Sequence, residues 1–324
     1  MSLEGGGDGG RPDVSVIIVA YQVRELVDGC LRSLRASTGG VHWRTYLVEN
    51  GDDGTAAHVR EHFPEVTVYE PGENLGFPRA NNLALERIAE AGEGGRYTLL
   101  LNPDTVVEPE TLATMVRFMD EHPEAGAATC RVDLASGGLD WACHRGFPRP
   151  WAALTYFLGF ERLFPRSRWA AQYHLRWHDL DTTHEIDAPT GAFFMVRDEA
   201  LKQVGLLDPA FFMFGEDLDW AFRIRAAGWR IYYHPATRIV HYKGASSGLK
   251  RHSARQSRAG RRQRSRSARH FADSMRIFYD KHLAAGDPLP VRLLVRGGIS
   301  LHRNVSRLRH LIRVERRALL RRRG

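Results

Sequence analysis

Val14-Ser15-Val16-Ile17-Ile18-Val19-Ala20 is the stretch whose reading decides the fold. A short, β-branched, nearly unbroken apolar run reads as a strand buried on both faces, the habit of a parallel sheet rather than of one with a wet face. The residues after it agree. Leu26, Val27, Cys30, Leu31 and Leu34 recur at helical spacing. Thr45 to Glu49 reads as a second strand, closed by the turn signal Asn50-Gly51-Asp52-Asp53-Gly54. Val66 to Tyr69 is a third strand, and Ala80, Leu83, Ala84 and Ile88 mark a helix. Another strand starts near Tyr97. It is followed by a helix with Leu112, Met115, Val116 and Met119 on one face, whose first turn suits Glu108-Pro109-Glu110. Gly126 to Arg131 is a further strand. Repeated β-α units predict an α/β fold, a mainly parallel central sheet flanked by helices on both faces. The chain shows no internal repeat.

Composition sets the bounds. The 324 residues can bury one large core or two small ones, and 43% hydrophobic residues is ordinary for a globular protein. Cys30, Cys130 and Cys143 have no CxxC spacing, which argues against a zinc ribbon or a disulfide scaffold and fits a reducing cytosol. No apolar run approaches the roughly 18 residues of a spanning helix. No secretory signal is present, and the glycine-rich residues 1–12 read as a disordered tail.

The net charge of +8 is concentrated toward the C-terminus. Lys250 to Arg269 holds arginines interleaved with serine and no acidic residue, the composition of a mobile basic loop. Beyond Pro290, Leu301, Val305, Leu308, Ile312 and Leu319 share one helical face, while Arg303, Arg307, His310, Arg313 and Arg317 fall mainly on the other. A basic amphipathic helix of this kind suits an anionic membrane surface. The same face also suits packing onto the domain.

Several standard sites are missing. The first strand runs into Tyr21-Gln22 rather than a glycine-rich turn, so the dinucleotide fingerprint fails. There is no GxxxxGK[ST] phosphate loop and no GxSxG elbow. His58 and His62 have a spacing that could ligate zinc, but the general-base Glu of HExxH is missing and a solvated helix face accounts for them.

Two acidic positions carry chemistry. The strand Leu99-Leu100-Leu101 runs into Asn102-Pro103-Asp104 and should stop at Asn102, because proline cannot donate to a ladder. Asp104 then lies just past a strand's carboxyl end, where open α/β sheets bind ligands. There a carboxylate can hold a hard divalent cation, and the cation a diphosphate. An Asn-Pro-Asp turn is the structural alternative. Phe214-Gly215-Glu216-Asp217-Leu218-Asp219-Trp220 sets three carboxylates among aromatic residues. Mutual repulsion and desolvation raise carboxylate pKa values, which suits a general base. Acids at a helix N-terminus are the alternative reading.

The order of these pieces resembles family 2 glycosyltransferases. Val14 to Tyr21 resembles their opening strand, Val48-Glu49-Asn50-Gly51-Asp52-Asp53-Gly54-Thr55 their second-strand nucleotide loop, and Asn74-Leu75-Gly76-Phe77-Pro78-Arg79-Ala80-Asn81-Asn82 their N-x-G-F helix start. Asn102-Pro103-Asp104 falls where their DxD-type metal motif lies, and Gly205-Leu206-Leu207-Asp208-Pro209 through Asp219 resembles their acceptor block. His241 falls where this branch has a histidine after the last core strand. The match covers Val14 to Ser247. A weaker one, through Ser265 to His270 and Tyr279-Asp280-Lys281-His282, resembles the bacterial rhamnosyltransferase branch.

The resemblance implies a GT-A fold at 13–247, with a nucleotide half (13–131) and an acceptor half (132–247), followed by a basic loop and C-terminal helices (248–324). It implies an inverting enzyme with Asp217 as base, supported by Glu216, Asp219 and Trp220. It puts Ala20, Tyr21, Glu49, Asn74, Gly76, Phe77, Arg79, Asn82, Asn102 and Asp104 on the nucleotide-sugar, and Asp104 and His241 on a divalent cation, Mn²⁺ or Mg²⁺. Gly76 is expected to let the backbone approach the ligand. Glu49 stands where the pattern has Asp, and Asn102 where a strict DxD has its first Asp.

The expected donor is a nucleoside-diphosphate sugar, with L-rhamnose first. The expected acceptor is a glycan or polyprenyl-linked glycan, met by a cytoplasmic protein held peripherally on the inner face of a bacterial plasma membrane. A nucleotidyltransferase shares the sheet and the metal aspartate, but should carry a glycine- and basic-rich loop where Tyr21-Gln22-Val23-Arg24-Glu25 stands. A nucleic-acid-binding protein would explain the arginine runs but not Asp104 or Glu216-Asp217. No specific nucleic acid is expected, since salt-sensitive binding follows from any such tail.

Overall fold

A computed structural model describes residues 10–242 and 261–304. β1 (Val14–Ala20) is buried at every position, because β2 (Trp43–Glu49) and β4 (Tyr97–Leu101) pair with it in parallel on its two sides. β3 (Thr67–Tyr69) adds a parallel strand beyond β2. α1 (Arg24–Arg35), α2 (Thr55–His62) and α3 (Phe77–Glu90) return the chain between these strands. α1 turns Val27, Cys30, Leu31 and Leu34 inward, as its spacing predicts.

From β4 the sheet continues through β8 (Phe193–Arg197), β6 (Ala125–Leu134), β9 (Arg230–His241) and β5 (Thr105–Val107). β8 runs antiparallel to both β4 and β6, so β6 and β9 again point the same way as β1. β5 and the short β7 (His184–Glu185) pair antiparallel with β9. The flanking helices are α4 (Thr111–Glu121), α5 (Pro150–Phe157), α6 (Phe160–Leu163), α7 (Asp198–Val204), α8 (Glu216–Ala226) and α9 (Arg261–Phe278). Residues 289–304 are also helical. This polarity brings the ends of β1, β2, β4 and β9, and the start of β8, to one edge of the sheet. Ala20, Glu49, Asn102, Asp104 and His241 all lie along that edge.

The predicted fold class stands, with three local differences. The described part of α9 is helical from Arg261, inside the stretch read as a mobile loop to Arg269. Arginine and alanine are good helix formers, and the far end of α9 is anchored by the buried Ala272, Ser274 and Phe278. The tail read as disordered to residue 12 is already engaged at Arg11, whose guanidinium bonds Gly94 O at 2.7 Å and Gly95 O at 2.9 Å. β6 crosses residue 131, so one continuous strand spans the expected boundary between the two halves. The first nine residues, the basic stretch from Lys250 to Gly260, the end of the expected catalytic domain from Lys243 to Ser247, and the apolar positions from Val305 onward lie outside the described residues.

His58 and His62 lie one turn apart on α2. His58 Nε2 lies 2.9 Å from Asp28, and the two rings stack. The three cysteines are buried free thiols. Among the described residues no helix is long and apolar enough to cross a membrane.

Candidate active site

The register of β5 on β9 sets Thr105 opposite His241, and this brings Asp104 to the histidine. His241 Nε2 is 3.2 Å from Asp104 Oδ1, and Nδ1 is 3.1 Å from Asp140 Oδ2. All three side chains are buried. Burial alone would lower the imidazole pKa, but Asp104 and Asp140 outweigh it and raise it to about 9. The two carboxylates thus make a nest that favours positive charge. When His241 is neutral with Nδ1–H donating to Asp140, Nε2 and Asp104 Oδ1 present lone pairs to the same point. That is the carboxylate–histidine arrangement found behind metal ligands. Among the described residues no three His, Cys, Asp or Glu form a ready-made metal set, so these two residues can supply only part of a coordination shell. Phosphate and water oxygens normally complete such shells. Asp140 was missed by sequence reasoning. It also caps the turn Trp141–Cys143 through Ala142 N at 3.2 Å, and a capping Asp carries no separate signal of its second role.

The nucleotide side is held mainly by its own hydrogen bonds. Ala20 O accepts Asn50 N–H at 2.7 Å, and the Asn50 amide reaches Asn74 Oδ1 at 3.0 Å and Leu75 N at 2.7 Å. Asn74 Oδ1 also accepts Gly76 N–H at 2.9 Å, so this side chain ties the loop together. Gly76 has φ 78°, and a Cβ there would meet Phe212 O at 2.5 Å. The Phe212 backbone therefore by itself requires glycine at this position. Phe77 N–H donates to the same Phe212 O at 2.8 Å, and the Phe77 ring lies against Gly191. Asn82 spends its amide on Leu207, through Nδ2 to O at 2.8 Å and Oδ1 from N at 3.0 Å. This buried clamp ties α3 to the 205–215 loop.

Other positions keep free groups. Arg79 is exposed on the first turn of α3 and makes no hydrogen bond or ion pair with described residues. Glu49 caps α2 by accepting Ala56 N–H, while its buried Oε1 has no hydrogen-bond partner among the described residues. Burial raises its pKa, with Asp53 adding to the rise. Tyr21 and the Asn102 side chain are partly exposed at the same edge.

The acidic block separates into three environments. The chain enters α8 through Phe214 at φ 73° and Gly215 at φ 80°, and a non-glycine residue in that region carries strain of the kind found at functional sites. Burial drives the Glu216 carboxyl above the usual range, reinforced by Asp217, and its Oε2 has no hydrogen-bond partner among the described residues. Asp217 Oδ2 accepts a short hydrogen bond from Arg145 Nη2, and the same nitrogen reaches Pro189 O at 2.9 Å. Arg145 is buried and was not singled out from the sequence, where an isolated arginine has no signature. Asp219 has no exposed surface and is held by Arg223, Lys281 and His282. Trp220, equally buried, donates Nε1–H to Gly205 O at 2.9 Å. Both are framework residues. The uniform rise expected across the cluster is thus replaced by divergence.

α9 braces the loop in front of Asp217. Ser274 Oγ donates to Met213 O at 3.1 Å, and the His270 ring stacks on Phe212 at 4.6 Å. An acidic loop linked to the nucleotide loop, and a carboxylate–histidine pair on the same sheet edge, is an arrangement suited to group transfer from a phosphorylated donor.

The sequence model described as "Glycosyltransferase like family 2" matches residues 12–267. The chain belongs to this family. As a family 2 member it is a glycosyltransferase, and its sheet has the GT-A architecture. It is 26% identical over 312 residues to the N-acetylglucosaminyl-diphospho-decaprenol L-rhamnosyltransferase of Mycobacterium tuberculosis, covering 94% of this chain and 96% of that one. It is 25% identical over 233 residues to the rhamnosyltransferase WbbL of Escherichia coli, covering 71% and 83%. Among solved structures, the mannosyltransferase PcManGT of Pyrobaculum calidifontis, in complex with GDP-Man and Mn²⁺, is similar with a TM-score of 0.52. Its identity is 19%, covering 94% of this chain and 86% of that one. GalNAc-T7 with UDP, GalNAc and Mn²⁺ gives 0.53 at 15% identity, covering 90% and 55%.

Proposed function

We propose that this family 2 glycosyltransferase moves L-rhamnose from a nucleoside-diphosphate donor, dTDP-rhamnose first, to a hydroxyl of a polyprenyl-diphosphate-linked glycan. The observation that carries this reading is the likeness, along almost the full length of both chains, to an enzyme named for rhamnosyl transfer to a decaprenol-linked sugar. Bacterial cell-surface polysaccharide synthesis is the matching role. Acceptors of that kind keep the reacting sugar near a bilayer, so the protein works peripherally at the inner face of the plasma membrane.

In this mechanism Asp217 accepts the proton of the acceptor hydroxyl as its oxygen attacks the anomeric carbon. The bond from that carbon to the diphosphate breaks, and configuration inverts. Arg145 holds the Asp217 carboxylate and links it to the Pro189 backbone. Asp104 and His241 would hold a divalent cation, Mn²⁺ or Mg²⁺, with Asp140 orienting the imidazole. When bound, a cation supplies neutralisation of the leaving diphosphate. Glu49, through its free Oε1, faces the ribose or base, and Arg79 the phosphates.

A thermal-shift screen of dTDP, UDP and GDP sugars, with and without Mn²⁺, tests the donor. A ligand at 100 times its Kd adds about 2.7 kcal/mol of stability, enough to rank donors. Selective, Mn²⁺-dependent stabilisation by dTDP-rhamnose is expected. Selective response to a UDP-sugar overturns the rhamnose assignment.

A further inference from the structure

The segment between the two sides of the acceptor site is unlike the rest of the surface. α5 and α6 form a hairpin that exposes Leu154, Phe157, Leu158, Leu163, Phe164 and Trp169, with Leu163 at 70% and Trp169 at 61% exposure. Soluble surfaces seldom gather large apolar side chains this densely, and such a patch marks a binding face. The charges beside them have one sign. Arg162, Arg166 and Arg168 are exposed, whereas the hairpin's one acid, Glu161, is buried and bonded to His174 at 2.6 Å. Helix 289–304 lies alongside, through the Phe157–His302 ring contact at 5.4 Å. It too exposes Leu289, Leu293, Leu294 and Leu301, while Arg296 among them is ion-paired with Asp280 at 2.9 Å.

The roots of the hairpin fix where it stands. Gly146 N–H donates to Tyr173 O at 2.8 Å, closing its base, and the residue before Gly146 is Arg145, the partner of Asp217. The apolar excursion therefore leaves and re-enters the domain beside the acidic site.

We propose that the α5–α6 hairpin, with helix 289–304, is the face that docks on an anionic bilayer. Aromatic and leucine side chains enter the acyl boundary while the arginines meet lipid phosphates, the division of labour of interfacial helices. Charge decides for a lipid surface over a second copy of this chain, since two such faces would bring arginines against arginines. The docking is independent of which sugar is transferred. It deepens the lipid-linked-acceptor reading by holding the acceptor's reacting end at Asp217.

The test uses the full-length protein and phosphatidylcholine vesicles with and without phosphatidylglycerol. Wild type is expected to co-sediment with the anionic vesicles, and brominated lipid to quench its tryptophan fluorescence. The double variant Leu163→Asp with Phe164→Asp, both exposed positions, is expected to lower partitioning by about tenfold or more, the scale of losing two buried apolar anchors. Nucleotide binding should be unchanged. Equal partitioning of variant and wild type overturns the proposal. So does wild type that is unquenched, a result that does not depend on the variant folding. A dimer lost in the variant, with no vesicle binding by wild type, reassigns the face to self-association and also overturns it. Failure of the rhamnose or lipid-acceptor assignment would appear in the activity assay while vesicle binding persists.

Discussion

Lys281 places its ammonium 2.6 Å from Oδ1 of Asp219, a carboxylate with no exposed surface. His282 Nε2 meets the same oxygen at 2.6 Å, and Arg223 takes Oδ2 at 2.9 Å. The acidic block and the Tyr279–His282 segment, some sixty residues apart in sequence, are thus two halves of one lock. The lock fixes α8, whose first turn carries Asp217.

Burial opposes ionisation of Asp219, but hydrogen bonds from His282 and Lys281 and the charge of Arg223 prevail and bring its pKa to about 2, below the ordinary 3.8. A depressed folded-state pKa stabilises the fold above the unfolded value, and that stabilisation is lost as pH falls from about 3.8 toward 2. Asp219→Asn is expected to cost about 2 kcal/mol at neutral pH and to flatten this acid limb. Urea melts at several pH values read both effects. An unchanged midpoint would show that the lock contributes nothing.

The legible part of this protein was its parallel half. Val14–Ala20 and Tyr97–Leu101 are continuous apolar runs because both faces of those strands are covered. β5 and β7 are too short to show periodicity, and β8 looks like any apolar run whichever way it points. At the site, Asp104, His241 and Asp217 could be singled out by their order along the chain. Arg145 and Asp140 could not, because each acts through a partner 72 or 101 residues away. Asn82 and Gly76 were singled out as ligand contacts, and their contacts with Leu207 and Phe212 had no signal in the sequence. A helix start that serves a ligand and one that clamps another loop use the same residue types.

Asp104→Ala is expected to weaken Mn²⁺-dependent nucleoside-diphosphate binding more than it changes stability. Asp140→Asn should act on the same binding through the His241 ring, lowering Mn²⁺ affinity by about tenfold or more, as losses behind a metal ligand do. Calorimetric titration of Mn²⁺ and nucleotide reads both. Tight donor binding by wild type without any metal would rule out the pair's role.

Gly76→Ala should be costly even without a ligand. The position has φ 78° with ψ 175°, a region only glycine enters freely, and a Cβ would strike Phe212 O. A loss of about 1–3 kcal/mol is expected in thermal or urea unfolding. A fully stable Gly76→Ala protein would contradict the described junction between the nucleotide and acceptor loops.

Arg145→Lys retains the charge but not the fork that serves Asp217 and Pro189 together. Turnover is expected to fall by roughly 10–100-fold while donor affinity stays constant, since misplacing a catalytic group costs rate rather than binding. Steady-state kinetics with a separate donor-binding measurement distinguish the two. A change confined to donor affinity would move Arg145 to the nucleotide site.

The central claim is that Asp217 takes the acceptor's proton. Asp217→Asn preserves size, but its single amide oxygen can accept from Leu218 N–H or from Arg145 and not from both, so a thermal melt is made beside it. The decisive measurement is the rate of sugar transfer by this variant, made beside its donor affinity. The account predicts unchanged donor binding with transfer lowered by about 10² or more, the scale of a lost general base. Near-normal turnover would contradict it.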